Sequence, residues 1–418
     1  MATLSPGQEQ ALSLFQLYTP EVLANPYPLY HRLQDDDPVH WDPFLHAWVV
    51  TRYADVVTVL QNFSANCAPP PERLEKIGLK HMDAIAQTML QQMLFMDPPT
   101  HTRLRALCTV AFTPHRVEAL RSHIVEIAHA LLEPHLQSAT IELMADFANR
   151  LPAIVNAEML GVPASDHEQL KKWSEDFAEI LGNFQHNAES TARMLKTLDA
   201  MGDYFRRAIR DQKKNPSGGL ISALVNAELN GERLSEDSIV ANSILLMVGG
   251  QETTPNLIGN GMLSLLQNPD QMCMLRANLT LMSSAIEELL RYEAPSQHTT
   301  RLAAFDMELR GKQIRKGESV IAVIGAANRD PEKFAEPDRL DITRKDNKHL
   351  AFGAGNHYCF GAPLGRLEGS IALHTIFSSV GELHLSLTPP IWRDNVGLRG
   401  LSTLNLSFTA PNPATAAY

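Results

Sequence analysis

The sequence lacks any long hydrophobic run. No segment approaches the stretch of about 18 apolar residues that indicates a membrane-spanning helix. The N-terminal segment also lacks a basic stretch followed by an apolar one, so it does not have the pattern of a secretion signal. We therefore expect a cytoplasmic protein with no membrane anchor.

Cysteine is scarce, and no two cysteines are close together in the chain. They form no C-x-x-C pair and no zinc-like spacing with histidine, which argues against a disulfide framework or an iron–sulfur cluster. Cys108 and Cys273 sit among apolar residues, and we predict that both are buried thiols. A glycine-rich motif for flavin or NAD is missing as well. Electrons for any redox reaction would have to come from another protein.

Basic residues are fewer than acidic residues in this chain. The chain has 36 lysines and arginines against 47 aspartates and glutamates, a net charge of -11. Such a chain repels the phosphates of nucleic acids, so we do not expect nucleic-acid binding. No Ser/Gly-rich linker or long charge run marks a domain boundary, and we expect the 418 residues to form one domain.

Apolar residues at helical spacing dominate the middle of the chain. This periodicity predicts helices over residues 120–136, 166–181 and 195–214. Alternating patterns predict a hairpin over residues 39–51 and further strands over residues 307–330 and 383–410. A short helix is predicted at 25–34, and Asn230-Gly231 predicts a turn before a helix start near Leu234. The fold class that follows is mainly α with small β-sheets (α+β).

The most informative segment is FGAGNHYCFG at residues 352–361. It places Cys359 in a loop of small residues, directly before an apolar helical run that begins near Ala362. Glycines permit close approach of the backbone to a flat ligand. A helix that begins just after a cysteine directs its N–H groups at the sulfur and favours the thiolate.

This segment resembles the haem-thiolate loop of the cytochrome P450 family, F-x-x-G-x-x-x-C-x-G, in which the cysteine ligates iron. All the fixed positions match, at Phe352, Gly355, Cys359 and Gly361. The resemblance implies the family's triangular prism fold, with haem b between a long distal helix and the cysteine-bearing proximal helix. The alternative is a buried structural cysteine, in which case the chain would be a haem-free helical binding module.

A second motif, GGQETTP at residues 249–255, interrupts a long apolar helix. Pro255 cannot donate a hydrogen bond to the carbonyl of residue 251, and the two glycines weaken the helix, so we predict a kink or groove. The motif is similar to the family's A/G-G-x-D/E-T sequence. That similarity implies that Thr253 stabilises activated oxygen and Glu252 relays protons from solvent. Alternatively, Glu252 forms a salt bridge and Thr253 bonds back to a carbonyl.

Two further sets of residues match family positions between Asp97 and Gly361. Glu288 and Arg291 resemble the Glu-x-x-Arg motif, and Arg339 is taken as the second arginine of that structural triad. The haem contacts that the resemblance implies are His101 and Arg105 at one propionate, Arg301 and His357 at the other, and Phe352, Gly353 and Gly361 in the cysteine loop.

The implied reaction is monooxygenation, in which dioxygen, two electrons and two protons give one inserted oxygen atom and one water. The electrons would come from NAD(P)H through a ferredoxin and its reductase. We expect the ferredoxin to dock on a basic proximal patch at Arg103, Arg116 and Arg366. A peroxide-using relative would be expected to lack the Glu252-Thr253 pair.

Family position also suggests the substrate pocket. Its predicted lining comprises Leu94, Phe177, Leu181, Leu245, Val248, Gly249, Gln297 and His298. This mainly apolar set with a polar edge favours an apolar, partly oxygenated small molecule, such as a polyketide, macrolide or terpenoid natural product. The near alternative is a fatty acid or xenobiotic hydroxylase. From a different class, a non-catalytic haem-binding sensor remains an alternative.

Overall fold

The computed structural model describes residues 12–69, 71–76, 79–185, 187–229 and 232–409. Helices make up most of it. In chain order they are α1 (Pro20–Ala24), α2 (Tyr27–Asp36), α3 (Tyr53–Asn62), α4 (Pro71–Lys76), α5 (Asp83–Leu90), α6 (Thr100–Ala111), α7 (Pro114–Ala119), α8 (Arg121–Leu132), α9 (Arg150–Leu160), α10 (His167–Gly182), α11 (Ala188–Lys214), α12 (Leu220–Asn226), α13 (Glu236–Gln267), α14 (Pro269–Ala277), α15 (Met282–Tyr292), α16 (Ile324–Ala327) and α17 (Ala362–Ser379).

The strands are short and lie mainly towards the two ends of the chain. They are β1 (Val39–Asp42), β2 (Ala47–Val50), β3 (Thr140–Glu142), β4 (Glu228–Leu229), β5 (Glu232–Arg233), β6 (Thr299–Leu302), β7 (Met307–Leu309), β8 (Lys312–Ile314), β9 (Ser319–Ala322), β10 (Leu383–Leu385), β11 (Ile391–Trp392), β12 (Leu401–Thr403) and β13 (Asn405–Phe408). The predicted mainly helical fold with small sheets is therefore confirmed.

The largest sheet joins the N-terminal hairpin to strands from residues 299–322. Its strand order is β1-β2-β9-β6, in which β2 and β9 are parallel and the other two pairs are antiparallel. The β1–β2 hairpin lies where alternation predicted it, with Val39 opposite Val50. β7, β8 and β9 follow the pattern predicted over 307–330, and the turns between them use Gly311 (φ 77°) and Gly317 (φ 86°), a conformation that glycine adopts without strain.

The long helix α13 forms the centre of the helical part. Ser235 caps its start by accepting a hydrogen bond from the Ser238 N–H, as the helix-start signal near Leu234 predicted. Because α13 is apolar on nearly all sides, it packs against α9, α10, α15 and α17 rather than on one neighbour. The packing of α13 against α17 sets the cysteine loop opposite the 249–255 motif.

Some expectations differ from the structure. Helix α2 begins two residues later than predicted, because Pro26 and Pro28 set its first turn. Cys108 is buried, but Cys273 is exposed, since it lies on the solvent-facing side of α14. The turn predicted at Asn230-Gly231 and the end of the last predicted strand, at Ala410, lie outside the described residues. Within the described ranges, no helix is both long and apolar enough to cross a membrane.

Candidate active site

A cavity of roughly 350 Å³ lies between α13 and the loop that precedes α17. Apolar surface dominates its lining. The cavity wall includes residues from both sequence motifs, namely Gly249, Thr253, Phe352, Gly353, Cys359 and Gly361. The structure therefore brings the cysteine loop and the glycine-interrupted helix to one cavity, although residues 256–351 separate them in the chain.

The cysteine loop is held in shape by its own backbone. The Cys359 N–H donates to the carbonyl oxygen of Phe352 at 2.8 Å, which closes the loop. Gly353 and Gly355 adopt φ values of 70° and 69°, so both need the left-handed conformation. At Gly355 a side chain would also press on the Gln61 backbone, since a Cβ would lie 3.3 Å from its Cα. The sulfur is thereby presented to the cavity from a rigid loop.

Burial dominates the electrostatics of the Cys359 thiol. It raises the pKa of the thiol, while the backbone amides of Gly361 and Ala362 and the charges of Arg105 and Arg366 act in the opposite direction. The amides at the start of helix α17 therefore lower the pKa of the thiol, as expected, but by less than burial raises it. A cation bound to the sulfur would reverse that balance, because a coordinating thiol is deprotonated.

Three buried cationic or imidazole groups at the cavity have nitrogen atoms without a partner among the described residues. They are His101 Nδ1, His357 Nε2 and Arg301 Nε. The His101 and His357 rings lie 4.1 Å apart between centroids. Burial lowers the pKa of both rings, that of His357 to about 4. Unpaired donors that converge on an otherwise apolar cavity fit a ligand that carries carboxylates.

Arg105 lies beside the cysteine loop rather than apart from it. Its Nη2 donates to the Tyr358 carbonyl at 2.7 Å, and its guanidinium lies 5.7 Å from the centre of the Phe360 ring. Phe360 in turn packs on Phe112, with ring centroids 4.7 Å apart. Arg105 still lines the cavity, so it can serve both the loop and a carboxylate of the ligand.

Helix α13 is continuous through the 249–255 motif, and side chains bond to three of its carbonyls there. The carbonyls at positions 247, 249 and 251 accept side-chain hydrogen bonds from Asn156 (2.8 Å), Thr253 (3.0 Å) and Lys171 (3.0 Å), respectively. Pro255 has no N–H to offer the carbonyl of residue 251, and Lys171 takes the place of that missing donor. At Gly249 an added Cβ would meet nothing within 4 Å, so the helix presents open space to the cavity there.

Glu252 points away from the cavity. One carboxylate oxygen accepts from Lys171 Nζ at 2.8 Å and from the Ser174 hydroxyl at 2.9 Å, and the other accepts from Arg393 Nη1 at 2.8 Å. Burial opposes ionisation, but the two cations prevail and lower the pKa of Glu252. Of the two predictions for Glu252, the salt bridge is the one that the structure contains. No local pattern identifies Lys171 or Arg393 as its partners.

The structural triad differs from the prediction in one member. Glu288 and Arg291 form a fully buried ion pair at 2.8 Å. The second arginine is Arg344, whose Nε lies 3.1 Å from Glu288 Oε2. Arg339 is wrong as the third member, because its side chain is 60% exposed and pairs with Glu336 at 3.1 Å. Only its backbone carbonyl contacts Arg291.

The predicted pocket lining divides into two groups. Leu94, Leu245 and Gly249 line the cavity. The other five do not: Phe177 and Val248 belong to the core between α10, α11 and α13, Leu181 packs against that core, Gln297 bonds to Ala294 and Tyr30, and His298 stacks on Phe184. For Phe177, Leu181 and Val248, an apolar side chain suits a core-facing and a cavity-facing side of a helix equally, so family position did not separate the two.

Among the cavity residues that the sequence interpretation missed are a hydroxyl and a carboxyl. Thr254 and Glu368 both line the cavity, and the Thr254 hydroxyl hydrogen-bonds the Glu368 carboxyl. The available signal was the one carboxylate of helix α17, which Leu367 and Ile371 flank. Buried carboxylates without a charged partner are rare enough to mark a site for inspection.

This fold and this site define a haem-thiolate protein. The family model for cytochrome P450 matches residues 49–380, and the chain belongs to that family. A biotin biosynthesis cytochrome P450 of Bacillus subtilis (strain 168) is 37% identical over 390 residues, which cover 93% of this chain and 97% of that protein. A polyketide biosynthesis cytochrome P450, PksS, of the same strain is 36% identical over 406 residues, with 95% and 99% covered.

A solved structure extends the likeness to the fold. P450BioI in complex with an acyl carrier protein ligated to hexadec-9Z-enoic acid superposes with a TM-score of 0.88 at 37% identity, covering 93% of this chain and 99% of that one. This chain is therefore a cytochrome P450 monooxygenase, an enzyme of the haem-thiolate class. When bound, the haem supplies the activation of dioxygen. The residues of this chain that would hold the haem are Cys359, at the iron, and His101, Arg105, Arg301 and His357, at the haem carboxylates.

Proposed function

We propose that this monooxygenase acts on an apolar, partly oxygenated small molecule, of the polyketide, macrolide or terpenoid type. The observation that carries the proposal is the composition of the cavity wall. Most of it is hydrophobic, with Met93, Leu94, Leu245, Leu246 and Ile324 among its members, while the hydroxyl residues Ser296 and Thr299 also line it. An apolar body with one or two oxygen functions matches such a wall. The similarity to PksS supports this class of substrate.

A second candidate is a fatty acyl chain. The apolar wall accommodates hydrocarbon as well, and the relative of known structure was solved with a fatty acid on an acyl carrier protein. A fatty acid needs no hydrogen-bond donor along its chain, so it would leave the Ser296 hydroxyl without a role, whereas the Thr299 hydroxyl already accepts from Arg301 Nη1 at 3.0 Å. The two candidates therefore differ in their dependence on these hydroxyls. A xenobiotic hydroxylase would show broad, weak binding instead.

We propose further that the enzyme receives electrons from NAD(P)H through a ferredoxin and its reductase. Arg103 and Arg116 are exposed, and we take them as the residues that a ferredoxin would approach. Arg366 is a weaker candidate than expected, because it donates twice to Glu287, at 2.6 and 2.9 Å. Arg116→Glu should slow electron transfer more at low salt than at high salt, since surface charges are screened. A rate that is unchanged at both salt concentrations would refute this docking surface.

We propose that Thr253 and Glu252 deliver protons to the cavity. Thr253 lines it and presently bonds back to the Gly249 carbonyl. Glu252 could relay a proton only when one of its contacts with Lys171 or Arg393 opens. Thr253→Ala should therefore uncouple oxygen consumption from product formation and release peroxide. Fully coupled turnover in that variant would show that proton delivery runs elsewhere.

The first test of the proposed function is spectroscopic. Reduced protein with carbon monoxide should show the red-shifted Soret band of a thiolate ligand, and Cys359→Ser should lose it while the matched variant of the exposed cysteine, Cys273→Ser, keeps it. Titration with macrolides, terpenoids, free fatty acids and acyl carrier protein conjugates should then give a spin-state shift. A shift with the oxygenated compounds that weakens in Ser296→Ala supports the proposal. A shift confined to fatty acyl ligands would replace it with the second candidate.

A further inference from the structure

A second cavity, of roughly 220 Å³, lies beside the active-site cavity, and we call it the side cavity. It is formed where the end of α6, helix α7, the end of α9 and the start of α12 meet. Leu120 and Leu220 give it apolar walls, whereas Arg116, Ser217 and Gly218 line it and are exposed. The side cavity therefore opens to solvent.

The two cavities meet at a thin partition. Phe112 and Met159 line both the side cavity and the active-site cavity. A side chain that borders two spaces is the wall between them, so the partition is one side chain thick at these positions. Both side chains are apolar, and packing alone holds them in place. Because methionine is unbranched and has three rotatable bonds, Met159 is the part of the wall that can move aside most easily.

The partition reaches from the cysteine loop to helix α13. On one side the Phe112 ring packs on Phe360, the residue that follows the cysteine, with ring centroids 4.7 Å apart. On the other side Met159 lies one turn of α9 after Asn156, whose side chain donates to the α13 carbonyl at position 247 at 2.8 Å. The side cavity therefore leads into the space between the two sequence motifs.

The size and the polarity of this passage limit what can use it. Rotation of one methionine side chain opens a gap for a molecule of two or three atoms and not for a natural product. Apolar cavities stay dry and take up apolar guests such as xenon. Of the reactants of monooxygenation, dioxygen is the one that is both small and apolar.

We propose that the side cavity is an entry route for dioxygen and that the Met159 side chain is its gate. Dioxygen that enters there reaches the active-site cavity without passing along the bound substrate. The inference depends on the monooxygenase class and is independent of which substrate the enzyme takes. A failure of the proposed substrate class would therefore leave it untouched.

Flash photolysis of the carbon monoxide complex of the reduced, haem-loaded enzyme tests the gate, since carbon monoxide is also a small diatomic molecule. Met159→Phe places a larger and stiffer side chain in the wall. It should slow entry and escape of carbon monoxide by about tenfold each, which corresponds to about 1.4 kcal/mol of added barrier. Met159→Ala should speed both. Because a gate lies on the path in both directions, the affinity for carbon monoxide should stay the same. A changed affinity with an unchanged entry rate would overturn the proposal.

Blocking the side cavity from outside tests the route without touching the active-site cavity. Ser217→Cys, labelled with a bulky maleimide, places an obstacle in the side cavity, and Asn215→Cys is the matched control on an exposed residue of the same loop. The exposed Cys273 is labelled in both variants, so its effect cancels. Labelling should slow carbon monoxide entry in Ser217→Cys and not in Asn215→Cys. An unchanged rate in labelled Ser217→Cys overturns the proposal, even if the Met159 variants fail to fold.

Discussion

Lys171 Nζ lies 2.8 Å from Glu252 Oε1, and the Glu252 side chain is only 1% exposed. The contact links α10 to the middle of α13, because the same ammonium also donates to the Gln251 carbonyl at 3.0 Å. Lys171 thus donates both to the carbonyl that Pro255 leaves without a donor and to one oxygen of the buried Glu252 carboxylate. A buried charge with fewer partners is strongly destabilising, so this contact should matter for both stability and ionisation.

Lys171→Met should lower the free energy of unfolding at neutral pH by about 3 kcal/mol, because it removes one of the two cations that compensate the buried Glu252. The neighbouring Lys172→Met, at an exposed position, should change it by less than about 0.5 kcal/mol. Urea denaturation measures both. Equal effects would contradict the role of the ion pair.

Acid titration of the same variants follows from the pKa of Glu252. Because the folded pKa lies below the ordinary value of 4.5, the ionised residue stabilises the fold above that pH and the contribution is lost as the pH falls through the folded pKa. Without Lys171 the folded pKa rises towards the value of the unfolded chain, so the variant should lose less stability on acidification than the wild type. Lys172→Met should follow the wild-type curve. Superimposable curves for wild type and Lys171→Met would contradict this reasoning.

The identity of the triad gives a direct comparison of two arginines. Arg344→Met leaves the buried Glu288 with less compensation and should cost about 3 kcal/mol, while Arg339→Met should cost less than about 0.5 kcal/mol. The exposures of 12% for Arg344 and 60% for Arg339 explain the contrast. Thermal or urea unfolding checks both variants, with haem content as a second readout. A larger loss in Arg339→Met would restore the original assignment.

The success of the sequence interpretation depended on distance along the chain. The cysteine loop, the hairpin and the long helix were predictable, since each depends on residues that are close together in the chain. Arg344 was missed because residues 328–349 carry no periodicity that distinguishes one arginine from another. The partners of Glu252 lie 81 and 141 residues away, and only the packing of α10 and the chain end around α13 brings them together.

Gly355 offers a test of backbone geometry in the cysteine loop. Gly355→Ala forces a side chain into the left-handed region at φ 69° and against the backbone of Gln61. Gly317→Ala meets the same dihedral strain at φ 86° with nothing within 4 Å of the new Cβ. We expect Gly317→Ala to cost about 1 kcal/mol, from the left-handed conformation alone. Gly355→Ala should cost more and should also weaken haem retention. Equal costs would show that the loop yields to the added methyl group.

His298 should make folding stability depend on pH. Its ring stacks on Phe184 at 4.5 Å, and burial lowers its pKa from 6.5 to about 4. Between those values the unfolded chain binds the proton that the folded protein excludes, so stability falls as the pH falls through this window. His298→Phe keeps an aromatic ring on Phe184 but cannot be protonated, and it should lose less stability on acidification than the wild type. The surface variant His374→Phe should follow the wild type. Parallel urea-denaturation curves for His298→Phe and wild type would mean that His298 is protonated without cost in the folded protein.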